Sequence, residues 1–187
     1  FNYSLLEYGG DFAVASIGVI NRIAMLMLMP IFGLSQGLQP IIGYNYGAKN
    51  YARVKKALKV AICAATVFST AGFLLVQIFD RQIIMLFNDN PELIDVGAQG
   101  MRIYLSMLPV IGFQVIGANY FQAVGKAGYA IVLSMSRQLI LLIPLILILP
   151  GIWGLTGAWL TSPIADLASA VLTAFFLSRE IRKLGVM

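Results

Sequence analysis

QLILLIPLILILPGIWGLTGAWLTSPIA, residues Gln138–Ala165, runs for 28 residues without a charged side chain and is split only by Pro144, Pro150 and Pro163. A second run, AICAATVFSTAGFLLVQIF at Ala61–Phe79, adds 19 uncharged residues. A helix needs roughly 20 apolar residues to cross a hydrocarbon core of about 30 Å. Only 11% of the 187 residues are charged and 59% are hydrophobic, whereas soluble domains carry about 25% charged residues. These features define an all-α, polytopic membrane helix bundle.

Working outward from the two runs, five near-complete transmembrane helices and the end of a sixth are expected. They fall at about 1–8 (partial), 12–44, 58–79, 91–124, 129–149 and 154–177. Gly9-Gly10-Asp11 closes the first, and Pro30 and Pro40 should kink or tilt the second. Residues 80–90 are too short and polar to cross and read as a loop. Asp89-Asn90-Pro91-Glu92 then opens a helix with a capping side chain, a proline in the first turn and an acid against the positive helix end. Gly125-Lys126-Ala127-Gly128 makes a tight turn, and Pro150-Gly151 ends the fifth span. The chain starts at Phe1 without a signal-peptide layout and is read as cut from a longer one.

Charge placement sets an orientation. Lys49, Arg53, Lys55, Lys56, Lys59, Lys126, Arg179, Arg182 and Lys183 fall on one side of the alternating spans. Arg81 falls on the other, with Glu7, Asp11, Asp80, Asp89, Glu92 and Asp95. An excess of Lys and Arg marks the cytoplasmic side, so the 49–59 loop and the C-terminus are expected there, in a multi-pass cell membrane protein. The +5 net charge is thus a topology signal, with no nucleic-acid partner implied; the basic loop is also suited to anionic lipid. The absence of His and the lone Cys63 within an apolar run exclude His-based metal sites, His relays, Ser-His triads and a disulfide framework. No catalytic residue, metal site or cofactor is expected.

A few polar residues inside the spans are candidates for a transport pathway. Gln36, Gln39 and Asn119 carry amides that hydrocarbon cannot satisfy, so they should face a polar cavity or protein. Around the two glutamines, Gly33/Gly37 and Gly43/Gly47 are four apart, a spacing that admits a close neighbouring helix. Met25 and Met29 share a face, where flexible thioethers suit either a promiscuous pocket or plain packing. Asp166 is the one acid inside a span, about 12 residues or roughly 18 Å from either end. Ser162, Asp166, Ser169 and Thr173 form one polar stripe at i, i+4, i+7 and i+11. Arg137, on the preceding antiparallel helix, is the partner in reach. The pair then either holds the bundle together or takes part in ion coupling. Arg22 and Arg102, near the outer ends, should pair with Glu7, Asp11, Glu92 or Asp95, or snorkel to the surface.

Gln36-Gly37-Leu38-Gln39-Pro40-Ile41-Ile42-Gly43-Tyr44-Asn45-Tyr46-Gly47-Ala48, followed by Tyr51, Arg53 and Val54, resembles the multidrug and toxic compound extrusion family. The likeness continues through Leu86 to Glu92, Phe121 to Lys126, Ser136-Arg137-Gln138, Leu149-Pro150 and Trp159 to Asp166. The resemblance implies two six-helix bundles facing a central cavity, exporting drugs or organic cations in exchange for H⁺ or Na⁺. This chain would be the C-terminal bundle, entered late in the seventh helix, and its partners would be a small-molecule substrate, the bilayer and an N-terminal bundle. Some members carry acidic cation-site residues deep in the seventh and tenth helices; here Met101 to Val124 holds no acid, and Glu7 lies beside Gly9-Gly10. The chain departs from the family there. A lipid-linked oligosaccharide flippase of related architecture is the alternative, but it would line its cavity with more basic residues.

Overall fold

The computed structural model describes residues 1–186. Its helical runs are α1 (Asn2–Gly47), α2 (Tyr51–Met85), α3 (Pro91–Tyr104), α4 (Leu108–Ala123), α5 (Ala127–Met135), a π-helical turn at Ser136–Leu142, and α6 (Ile143–Val186). Length alone shows that some runs are composite. A straight helix of the 58 residues Ala127–Leu184 would reach roughly 87 Å, nearly three hydrocarbon cores.

The breaks in α1 and α6 fall at glycines. Gly154 adopts φ +55° and Gly10 φ +65°, left-handed backbone that a residue with a Cβ rarely takes. Beyond Gly154 the chain folds back so tightly that a Cβ on Gly157 would collide with the Leu149 carbonyl. At Gly10 the same reversal brings Gly9 against Ala13 and Leu155. α1 is therefore the end of one span plus a complete second, and α5–α6 is an antiparallel hairpin of two spans. Two ion pairs fix the register of that hairpin, Lys126–Glu180 and Arg137–Asp166, both centred on residues 151–153.

α3 and α4 form one span bent by 47°. Pro109 has no N–H to continue the ladder and disfavours helical backbone before it. Tighter i to i+3 bonds fill the gap: Ser106 N–H donates to Ile103 O and Leu108 N–H to Leu105 O, each at 3.1 Å. The carbonyl of Arg102, bypassed by Ser106, instead accepts from Gln77 Nε2 on α2 at 3.0 Å. The result is five membrane-crossing helices and the end of a sixth, with no strand among the described residues.

Packing separates into three layers. Ile17, Ile20, Val76, Met101 and Trp159 belong to an apolar cluster at one end. Ile42, Leu58, Ile116, Tyr120 and Leu177 belong to a second at the other. Between them lies a buried polar layer: Ser69, Gln114, Ser136, Thr161, Ser162, Asp166, Ser169 and Thr173. Small residues allow the helices to close there. A Cβ on Gly112 would sit 2.7 Å from the Ala65 carbonyl oxygen and 2.8 Å from Ser69 Oγ.

Several expectations are corrected. Helix α2 starts at Tyr51 and reaches Met85 through a kink at Phe79, so Arg53 to Lys59 stand on a helix rather than in a loop. The Asn50 side chain caps that start by accepting from Arg53 N–H. Residues 178–183, beyond the last expected span, are likewise helical, and Glu180 among them is buried against Lys126. Pro150 lies inside α6 and the reversal waits for Gly154, where the backbone needs a left-handed residue. Pro30 and Pro40 sit within α1 without non-helical backbone at either position, its break being at Gly10. Gly33, Gly37 and Gly47 have open space where a Cβ would go; only Gly43 of that set is close to a neighbour, the Ala123 carbonyl at 3.2 Å. The four-residue spacing at Gly33/Gly37 is therefore no packing motif here, because that face of α1 borders an open groove beside α2. Arg102 pairs with buried Asp80, not with the acids proposed for it, because the Phe79 kink turns Asp80 inward.

These contrasts give a stability test. Gly112→Ala should overpack the α2–α4 contact and cost about 1–3 kcal/mol. Gly37→Ala meets nothing and should be neutral or stabilising by up to about 1 kcal/mol. Thermal melting of the detergent-solubilised protein checks both; equal melting of the two variants would contradict the packing described.

Candidate functional site

The polar layer opens into two adjoining cavities of about 340 and 250 Å³, which share Leu28, Phe32, Ile111 and Arg137. The first reaches Gln114, Asn119 and Gln138; the second reaches Asn21, Met25 and Asp166. Arg137 stands at their junction because of the π-helical turn at Ser136–Leu142. Pro144, just beyond it, cannot donate to the preceding turn and its ring crowds the Ile140 carbonyl. A local π turn is one way a helix absorbs such a defect, and such turns recur at functional sites. Ser136 Oγ also bonds back to the Val132 carbonyl at 2.5 Å.

Arg137 Nε donates to Asp166 Oδ1 at 2.5 Å, and Ser162 Oγ lies 3.3 Å from Oδ2. The pair is asymmetric in exposure. The Asp166 side chain is 1% accessible, while that of Arg137 is 32% accessible and borders both cavities. Along the same α6 stripe, Gln114 Nε2 donates to Ser169 Oγ at 2.6 Å and Thr173 Oγ1 donates to the Ser169 carbonyl. Gln114 Oε1 is buried without a hydrogen-bond partner and its residue lines the larger cavity, so an acceptor is available there to water or a bound donor.

Other candidates fall less evenly. On α1, Asn21, Met25, Leu28 and Phe32 follow one another at i, i+4, i+7 and i+11 along the cavity. Continuing that helical face reaches Gln36 and Gln39, which are exposed and half-buried but outside both cavities. Met29 is 52% exposed and lies outside them too. Arg22 is exposed, with no carboxylate in ion-pair range among the described residues. Sequence reading missed Gln114, Asn21, Gln138 and Tyr104. Gln114 was findable, being one of three amides in α4, with Asn119 and Gln122, and lying on the bilayer-depth level of Asp166; the others depend on which way each helix faces.

Two further ion pairs tie the ends. Arg81–Asp95 spans 2.7 Å at one end beside the Arg102–Asp80 pair. Lys126–Glu180 closes the other at 2.5 Å. Burial acts to lower the Lys126 pKa, but the hydrogen bond and charge of Glu180 outweigh it and hold the ammonium above its ordinary value. That raised pKa stabilises the fold fully below the unfolded lysine value of about 10.4, and the contribution fades as pH rises through the folded one.

The family model described as MatE matches residues 1–148. The chain belongs to the MatE family. It is 27% identical over 176 residues to the multidrug export protein MepA of Staphylococcus haemolyticus, covering 94% of this chain and 38% of that protein. It is also 27% identical over 182 residues to the FAD transporter of Shewanella oneidensis, covering 95% and 39%. Among solved structures, the MATE multidrug transporter DinF-BH is 41% identical with a TM-score of 0.84, covering 98% of this chain and 41% of that one. An inward-facing MATE family transporter, at 22% identity and TM-score 0.90, shares the fold over all of this chain and 43% of its own. The MatE chain thus spans about two-fifths of the length of the curated relatives it matches.

The exposure asymmetry predicts unequal mutants. Arg137→Leu strands a carboxylate that is 1% accessible and should cost about 3–5 kcal/mol. Asp166→Asn should cost less, because the freed guanidinium already borders a cavity. Arg137→Leu with Asp166→Leu should recover most of the loss. Melting temperature and monodisperse yield report the order, and an Arg137→Leu single variant as stable as the parent would refute it.

Proposed function

We propose that this chain is the C-terminal six-helix bundle of a twelve-helix secondary antiporter that exports drugs or organic cations in exchange for H⁺ or Na⁺. The observation that carries the reading is the pair of cavities at the polar layer, bordered by one face of α1 and meeting at Arg137. MatE membership and the multidrug export protein among its relatives support it. In this reading the face from Asn21 to Gln39 looks toward the other bundle, and the two halves enclose the substrate. Alternating access then comes from one bundle moving against the other around a shared site.

The chemistry of this wall favours loose selection. Arg137 and Asp166 neutralise each other, and the remaining polar groups at the cavities are mostly amides and hydroxyls. Met25 and Phe32 offer adaptable apolar contact. A substrate would be held by apolar surface and neutral hydrogen bonds on this side, leaving charge preference to the other bundle. The FAD transporter among the relatives makes an anionic substrate the comparison to test.

The Asp166 carboxylate either couples ion flow or maintains the bundle. The short bond to Arg137 and the hydroxyl of Ser162 favour maintenance. The 49–59 segment and the C-terminus face the cytoplasm in this reading, with residues 80–95 outside, in the cell membrane.

Proteoliposomes of the complete transporter should extrude a fluorescent organic cation when an inward H⁺ or Na⁺ gradient is imposed, and an ionophore should abolish the flux. FAD should not be carried. Residues 1–187 alone should carry nothing, and flux from them alone would refute the half-transporter reading. Cysteines placed at 49–59 should react with a membrane-impermeant reagent only after permeabilisation, and those at 80–95 in intact cells. The reverse pattern would invert the orientation.

A further inference from the structure

We propose that the groove between α1 and α2 at the basic end of the bundle is a binding site for one anionic phospholipid. The groove encloses about 760 Å³ and is walled by Gly33, Gly37 and Ile41 of α1 and by Val60 and Ala61 of α2. Arg53 and Lys56 stand at its mouth with Asn45. Its floor is open because Gly33 and Gly37 have no atom within 4 Å of where a Cβ would be. Gly33 to Asn45 spans 12 residues, roughly 18 Å along a helix, close to the depth of one leaflet, about half the 30 Å core. An acyl chain fits such a slot in length and polarity.

Charge identifies the headgroup. Among the described residues, neither Arg53 nor Lys56 has a carboxylate in ion-pair range. Basic pockets between transmembrane helices are suited to anionic lipid headgroups. On the far side of α2, Lys55 and Lys59 border a second apolar groove of about 420 Å³ against Ile181, so this end of α2 is basic on both sides. The groove also points away from the transport path. At 100° per residue, Ile41 lies about half a turn round α1 from Phe32, which borders both cavities. A bundle facing the Phe32 side therefore leaves the Gly33–Ile41 side to the bilayer.

The test uses the complete transporter, stripped of lipid in detergent, with native mass spectrometry against phosphatidylglycerol and phosphatidylcholine of matched chains. Phosphatidylglycerol should be retained in preference. Arg53→Ala with Lys56→Ala should reduce that retention roughly ten-fold or more. Gly33→Leu with Gly37→Leu, which fills open space and keeps the charges, should reduce it as strongly with unchanged melting. Equal retention of the two lipids would overturn the proposal. So would loss with the charge variant alone, which means diffuse surface attraction. A disulfide forming between cysteines at Gly37 and in the other half would place protein in the groove and overturn it as well.

Discussion

The contact between Arg137 and Asp166 is the constraint around which this bundle is organised. A carboxylate at mid-bilayer is tolerated only with a partner and hydrogen bonds, and Asp166 has both in Arg137 and Ser162. The pair needs the α5–α6 hairpin in one register, which the left-handed turn at Gly154 and the Lys126–Glu180 pair also fix. Arg137 must lie on the inner side of its helix, where the π-helical turn before Pro144 places it. Around this point the rest of the polar layer assembles, with apolar clusters above and below that exclude water and hold the helices together.

The same layer explains why the bundle has cavities. Polar side chains of this layer line both cavities, which lie beside the bend between α3 and α4 and the α1 face from Asn21 to Phe32. The cavities thus occur at the depth where Gln114, Arg137 and Asp166 meet. A transporter needs such a place, with enough polarity to admit water and enough apolar wall to hold an organic solute. The neutral sum of the ion pair leaves this cavity wall without net charge.

The sequence made the spans legible because lipid imposes a hard rule on length and polarity. Their ends were less so. Arg53 to Lys59 are basic and still helical, since Asn50 caps the run and Val54 and Leu58 are buried. The 178–183 stretch hides a buried Glu180 that composition alone groups with its basic neighbours. Gly33 and Gly37 show the opposite error: a spacing associated with helix contact lies beside an open groove. For the site, the stripe at Ser162, Asp166, Ser169 and Thr173 was legible from its period, and all four are buried. Asn119, Met25 and Arg137 border the cavities, whereas Gln36, Gln39 and Met29 do not.

The sequence by itself determined a membrane bundle, the number of crossings, the family likeness and the isolation of one acid at mid-depth. Those follow from hydrophobic length, helical period and the cost of charge in hydrocarbon, each a local property of the chain. Only the tertiary structure decided that Arg102 meets Asp80, that Gln114 meets Ser169, and that Gly154 rather than Pro150 turns the last hairpin. These depend on the rotation of each helix about its axis and on its kinks. Rotation is set by contacts between segments far apart in sequence, which no local pattern encodes.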